Sequence, residues 1–120
     1  MAATNRGILD VPYLIGYTLS VVFYLVRQTG TFIARHQRLK DRVARIAIAR
    51  RLENVEAGTL GDVKPVGGGV SELRVKVGPG YRLYFTMRKG VIVVLLCGGD
   101  KGTQDADIRR ARKIAEEIET

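Results

Sequence analysis

Two runs of alternating apolar and polar residues, ELRVKV and YRLYF, flank a Gly-Pro-Gly turn and predict a β-hairpin. Side chains alternate across a strand, so Glu72, Arg74 and Lys76 share one face of the first run. Arg82 and Tyr84 occupy the same face of the second run. Like charges on paired strands cost stability, and a fold tolerates them most readily where they receive an anion. This face is therefore a candidate anion site, and the alternative is an ordinary solvated sheet face.

The composition is that of one globular domain with a basic surface. Of 120 residues, 46% are hydrophobic and 27% charged, and the net charge of +8 favours a polyanionic or acidic partner. The alternative is that the excess charge only keeps the protein soluble. The single cysteine, Cys97, excludes an internal disulfide and fits a reducing compartment. The single histidine, His36, has no cysteine or second histidine for a metal site, so we predict no metal and no cofactor.

The N-terminal segment contains an uncharged run, VPYLIGYTLSVVFYLV, from Val11 to Val26. A membrane-spanning helix needs about 20 apolar residues, and this run is shorter and interrupted by Pro12 and Gly16. Its end, VVFYLV, is typical of a strand. We therefore expect no membrane insertion, an N-terminal extension at 1–20 and a single domain at 21–120.

The rest of the chain predicts a strand, two helices, a series of strands and a last helix. Thr29 or Thr31 caps the first helix, and Asp41 caps the second. GDVKPVGGG, at 61–69, is expected to be a loop. The strands are predicted at 21–27, 71–77, 81–88 and 91–97, and the last helix begins at Thr103 or Asp105. The predicted fold class is α+β, with two N-terminal helices and a C-terminal helix packed on one face of a small, mainly antiparallel sheet. The hairpin cations and Tyr84 would then lie on the face that the helices leave free.

Most of the positive charge falls on the helical pair. Its cations are accompanied by few acids, which favours a binding surface over an ordinary solvated helix face.

The stretch GDVKPVGGGVSELRVKVGPGYRLYF, followed by VIVVLLCGGDKGTQDADIRRA, closely resembles the RelE/ParE-like toxins of bacterial type II toxin–antitoxin systems. The similarity is greatest to the phage-derived, HigB-like branch of addiction-module killer proteins, and it extends from about Val21 to Glu119. This resemblance implies a cytoplasmic toxin that inhibits translation by cutting mRNA on the ribosome. It also implies a cognate antitoxin, of helix-turn-helix type and encoded beside it.

The resemblance assigns roles to the hairpin cations. In related toxins the RNA 2′-OH attacks the adjacent phosphate, and basic residues stand at positions that match Arg74, Lys76 and Arg82. Arginine suits the two non-bridging phosphate oxygens, so we expect Arg74 and Arg82 to bind the phosphate and its transition state. Lys76 is the candidate for proton transfer. Tyr84 would stack on a base or donate a hydrogen bond, and Lys101 would contact the leaving group or the backbone.

We expect six further basic residues to bind the RNA: Arg35, Arg38, Lys40, Arg42, Arg45 and Arg88. Some relatives carry a tyrosine or histidine in the C-terminal segment as acid or base, whereas this chain has neither after Lys101. ParE-type members of the family poison DNA gyrase without cutting RNA. A gyrase poison is therefore the alternative function, and a plain nucleic-acid-binding module is the third.

Overall fold

The computed structural model describes residues 23–118. Three α-helices pack on a five-stranded sheet, which confirms the predicted α+β class. The elements in chain order are β1 (Leu25–Gln28), α1 (Gly30–Arg38), α2 (Arg42–Glu56), β2 (Val63–Gly67), β3 (Val70–Val75), β4 (Tyr81–Arg88), β5 (Ile92–Asp100), a 3₁₀ turn (Lys101–Thr103) and α3 (Gln104–Glu117). The expected extension at 1–20 and the start of the first predicted strand lie outside the described residues.

The sheet has the strand order β1-β5-β4-β3-β2, which places β4 at its centre. β1 runs parallel to β5, and the other three pairs are antiparallel, as predicted for a mainly antiparallel sheet. The prediction of a loop at 61–69 is wrong, because Val63–Gly67 forms β2. Pro65 lacks a backbone donor, and an edge strand such as β2 is where a sheet accepts this residue.

α1 and α2 lie on one face of the sheet, and each begins at its predicted N-terminal cap. The Thr29 hydroxyl accepts a hydrogen bond from the backbone N–H of Phe32 at 3.2 Å, and the Asp41 carboxylate accepts one from Ala44 N at 3.1 Å. The helices bury Phe32 and Ile48 against the apolar side chains of the three inner strands. The core partners from those strands are Leu73, Val75, Leu83, Phe85, Val93 and Leu95.

α3 covers the opposite face of the sheet, so the expectation that all helices share one face is wrong. Ala111 and Ala115 of α3 pack with Val70, Tyr84 and the bulged Leu96–Cys97 pair of β5. Gly99 allows the start of α3 to approach the sheet, because a Cβ there would lie 1.8 Å from the Asp107 carboxylate. β5 extends through Gly98 and Gly99 to Asp100, whereas the sequence predicted that this strand ends at Cys97.

The tight turn predicted at Lys89-Gly90 is confirmed. Lys89 has φ of 55° and Gly90 has φ of 73°, the paired positive values that a two-residue hairpin turn requires. This turn sets the register at its end of the β4–β5 pair, where Arg88 is opposite Ile92, and the bulge at Leu96 shifts the register by one residue and places Arg82 opposite Gly99. Among residues 23–118, no helix combines the length and the apolar character needed to cross a bilayer.

Candidate functional site

A buried carboxylate lies at the centre of the hairpin face. Glu72 on β3 has no exposed surface. Its oxygens accept hydrogen bonds from Gln104 Nε2 at 2.7 Å, from the Tyr84 hydroxyl at 3.2 Å and from Arg74 Nε at 3.3 Å. Arg82 Nε lies 3.4 Å from Glu72 Oε2, at ion-pair distance. A buried charge is tolerated when it is paired and hydrogen-bonded in this way.

Arg74 and Arg82 are directly opposite each other in the β3–β4 register, and their guanidinium groups share Glu72. The repulsion expected between paired like charges is therefore offset by a carboxylate between them. The Arg82 side chain is 13% exposed and that of Arg74 is 37% exposed. Arg82 also donates from Nη1 to the carbonyl of Gly80 at 3.2 Å, which orients its fork toward the end of the hairpin.

Tyr84 does not lie on a free face, because α3 covers it completely. Burial, together with the charge and the hydrogen bond of Glu72, raises the pKa of its hydroxyl well above the usual range. A residue with no exposed surface has no face on which a base could stack. In this fold Tyr84 acts as a donor to Glu72.

Arg74, Lys76 and Arg82 line one small cleft together with Gly80 and Tyr81, at the end of the hairpin. Lys76 is 82% exposed and pairs loosely with Asp62, at 3.7 Å. A lysine in this position reaches into solvent and can meet a ligand without moving other groups. The structure thus brings together the three cations that the sequence singled out on the hairpin.

Lys101 lies at the same end of the sheet, because it follows Asp100, which is the β5 partner of Tyr81. Its side chain is exposed, and it borders a separate shallow groove at the start of α3. Lys101 is therefore adjacent to the cleft of Arg74 and Arg82 and does not line it.

The cations predicted on the helical pair also border this end of the molecule. The Asp41 carboxylate between α1 and α2 lies beside Tyr81, where burial and the carboxylates of Asp41 and Asp100 raise the pKa of the Tyr81 hydroxyl. Arg35 lines a cleft of about 130 Å³ with Tyr81 and Asp100. Arg45 is tied to the α1–α2 loop by a hydrogen bond to the Leu39 carbonyl, at 2.9 Å. The remaining cations of this group are exposed at its surface: Arg38, Lys40 and Arg42.

Arg88 was also expected to bind RNA, but it belongs to β4 and lies at the opposite end of that strand, about 20 Å from Arg82. Its guanidinium donates to the Thr86 hydroxyl at 2.8 Å and to the Ala115 carbonyl at 3.2 Å. The structure therefore separates Arg88 from the hairpin cleft and gives it contacts that join α3 to the sheet.

His36 lies beside the Arg35 cleft, where its ring stacks on Phe32 with centroids 5.8 Å apart. Burial and the nearby Arg45 charge lower its pKa, and its Nδ1 has no hydrogen-bond partner among the described residues. His36 is separate from the cleft that Arg74 and Arg82 line.

Two residues of the site were missed by sequence reasoning. Glu72 was placed on the hairpin face without a role, although an acid between two arginines on one face is a signal for an internal ion pair. Gln104 joins the site only because α3 covers this face, and its position in the sequence contains no such signal.

Residues 36–119 match the family model described as "Phage derived protein Gp49-like (DUF891)". The chain belongs to this family. An uncharacterized protein of Haemophilus influenzae is 43% identical over 93 residues, which cover 78% of this chain and 94% of that protein. This relative spans nearly the same length as the folded domain.

Two solved structures are similar to this Gp49-like protein. A mutant of the Escherichia coli toxin RelE in the free state has a TM-score of 0.61 at 16% identity and covers 78% of this chain and 99% of its own. The Mycobacterium tuberculosis toxin–antitoxin complex RelBE2 contains a chain with a TM-score of 0.54 at 21% identity, covering 68% and 95%. Together with the family match, they confirm the resemblance to the RelE/ParE-like toxins and their phage-derived branch. At these identities the two structures establish the fold.

Proposed function

We propose that this Gp49-like protein is the toxin of a type II toxin–antitoxin module and that it inhibits translation by cutting mRNA on the ribosome. The observation that carries this proposal is the Arg74–Arg82 pair, held by one buried carboxylate at the edge of an open cleft. Two guanidinium groups fixed side by side suit the non-bridging oxygens of a phosphodiester. A protein-binding poison has no need of such an arrangement.

The proposed reaction is attack of the RNA 2′-oxygen on its own adjacent phosphorus. The new bond joins 2′-O to phosphorus, and the bond from phosphorus to the 5′-oxygen of the next nucleotide breaks. The products are a 2′,3′-cyclic phosphate and a 5′-hydroxyl, so the 2′-OH gives its proton to solvent water and the leaving oxygen gains one from a donor in the cleft. Arg82 and Arg74 stabilise the extra negative charge that develops on the phosphorane oxygens.

Lys76 is the proposed proton donor to the leaving 5′-oxygen. Its side chain is 82% exposed at the rim of the cleft, and lysine is normally protonated at neutral pH, which suits an acid or an electrostatic stabiliser. Lys101 is proposed to contact the RNA backbone next to the cleft, since it lies at the same end of the sheet. The exposed cations of the α1–α2 region lie at the same end of the sheet but on its opposite face, and we propose that they bind the RNA there.

The proposed partners are an antitoxin and the ribosome. The similar Mycobacterium tuberculosis structure is that of a toxin–antitoxin complex, which supports a cognate antitoxin for this chain. We propose an antitoxin of helix-turn-helix type encoded next to it, and action in the cytoplasm where mRNA is translated. A reading frame of this kind beside the gene would support the module independently of any activity.

The test is cleavage of a defined mRNA by the purified protein, with and without programmed ribosomes. The proposal predicts downstream fragments whose 5′-hydroxyl ends accept a phosphate from polynucleotide kinase without prior dephosphorylation. Intact mRNA in both reactions, together with inhibition of supercoiling by purified DNA gyrase, would contradict it and favour the ParE-like alternative. Cleavage only with ribosomes present would establish ribosome dependence.

A further inference from the structure

Glu72 has hydrogen-bond or ion-pair partners on three different elements. Arg74 comes from β3, Arg82 and Tyr84 come from β4, and Gln104 comes from the first turn of α3. Separating one partner from a buried ion pair leaves an uncompensated charge and is strongly destabilising. The members of such a cluster therefore hold one another in place. The carboxylate therefore contacts two groups that the proposed cleavage uses, together with the buried Tyr84 and the half-buried Gln104.

The contacts also determine which part of each arginine remains available to a ligand. Arg74 donates its Nε–H to Glu72, whereas Arg82 Nε lies 3.4 Å from Glu72 Oε2 as an ion pair and makes no hydrogen bond among the described residues. Arg82 donates from Nη1 to the Gly80 carbonyl. Arginine has five N–H donors in a planar fork, so its remaining Nη groups keep their direction when Nε is held. Because Arg74 and Arg82 are cross-strand partners, their forks are held next to each other at the cleft.

We propose that Glu72 is the positioning residue of the cleavage site, a role that rests on the proposed function. It acts through Arg74 and Arg82: its charge holds the two guanidinium groups together, and its burial keeps it away from RNA. Gln104 links this function to α3, because its amide donates to the Glu72 oxygen that also faces Arg82.

The matched test compares E72Q with D107N. Asp107 is a second buried carboxylate on the same sheet face, 2% exposed, which contacts Thr103 and Arg110 but neither Arg74 nor Arg82. Both substitutions remove one buried negative charge and preserve side-chain shape. Only E72Q removes the charge that the two arginines share.

The first measurement is the Nε–H NMR signals of Arg74 and Arg82 in the purified protein, which need no substrate. We expect both signals to move in E72Q, and the Arg74 signal to exchange faster with water because its hydrogen bond to the carboxylate is weakened. Both signals should stay near their wild-type positions in D107N. Unchanged arginine signals in a folded E72Q protein would overturn the proposal.

The second measurement is kcat and KM on mRNA-programmed ribosomes. We expect E72Q to lower kcat about 100-fold with KM within about threefold, because oriented transition-state charge is lost while the other cations still bind RNA. D107N should stay within about threefold of wild type. An E72Q enzyme with wild-type kcat, or an equal loss in D107N, would overturn the proposal.

If E72Q does not fold, E72D is the variant to measure, because it keeps the negative charge but shortens the side chain by about one bond length. A folded E72D with reduced kcat and shifted arginine signals supports positioning, and wild-type values in both overturn it. If the wild-type protein cuts no mRNA, the proposed function fails, and the NMR comparison still decides whether Glu72 orients the arginines.

Discussion

Replacing Arg82 by alanine should remove cleavage activity and leave the protein folded. Arg82 is 13% exposed, so it is a partly buried residue rather than the solvent-facing one that the sequence suggested. After its removal Glu72 keeps three donors, from Arg74, Tyr84 and Gln104. The buried carboxylate therefore stays satisfied, and we expect the free energy of unfolding to fall by about 1–3 kcal/mol.

The expected effect on the reaction is larger. Removing one oriented transition-state donor costs about 3 kcal/mol, which lowers the rate constant about a hundredfold. R82K would restore the charge but not the fork, so it should recover only part of this loss. R109A, at an exposed position on α3, removes an equal charge away from the cleft and is the matched control.

Single-turnover cleavage of mRNA on programmed ribosomes measures the rate constant, and urea denaturation followed by circular dichroism measures stability. A folded R82A protein that cuts mRNA within threefold of the wild-type rate would refute the assignment of Arg82 to the phosphate. A large loss of activity in R109A would show that net charge, rather than position, determines the rate.

Three further predictions test other parts of the molecule. Y84F should cut mRNA within about threefold of wild type and lose about 1 kcal/mol in urea denaturation, because Tyr84 is buried and donates only to Glu72. Burial raises the pKa of the Cys97 thiol to about 11. Because the unfolded chain releases this proton at a lower pH than the folded protein, the free energy of unfolding should decrease from about pH 9 to pH 11. In pH-dependent melts, wild type should lose more stability than C97A over this range. Removing residues 1–20 should leave a cooperatively melting, active domain, and an insoluble or non-cooperative product would show that the segment is part of the fold.

Local signals in the sequence were sufficient for most of the helices and strands. β4 has the bounds predicted from the alternation in YRLYFTMR, and the caps at Thr29 and Asp41 form as expected. β2 was not predicted because Pro65 and the glycines after Val66 are typical of a loop. These residues form a strand here because β2 lies at the edge of the sheet, where proline is accepted. The parallel pairing of β1 with β5 depends on the path of the chain between them, which local patterns do not encode.

The arrangement of the site could be predicted less well. An amphipathic helix has one apolar stripe, and this stripe does not specify which sheet face α3 covers. Polar side chains on alternating strand positions are typical of a solvated face, whereas here Glu72 offsets part of the charge of the two arginines and allows part of the face to be buried. The alternation in the hairpin was sufficient to predict that Arg74, Lys76 and Arg82 lie close together. The buried carboxylate that orders them became evident only from the tertiary structure.

Mapping of RNA 5′ ends after induction of the protein in cells, beside a DNA-damage reporter, tests the central claim most directly. We predict that translation stops within minutes, that transcripts are cut inside their coding regions with 5′-hydroxyl ends, and that R82A abolishes these ends. The reporter should stay silent. Intact transcripts together with double-strand breaks and an active reporter would contradict the nuclease account and favour a gyrase poison.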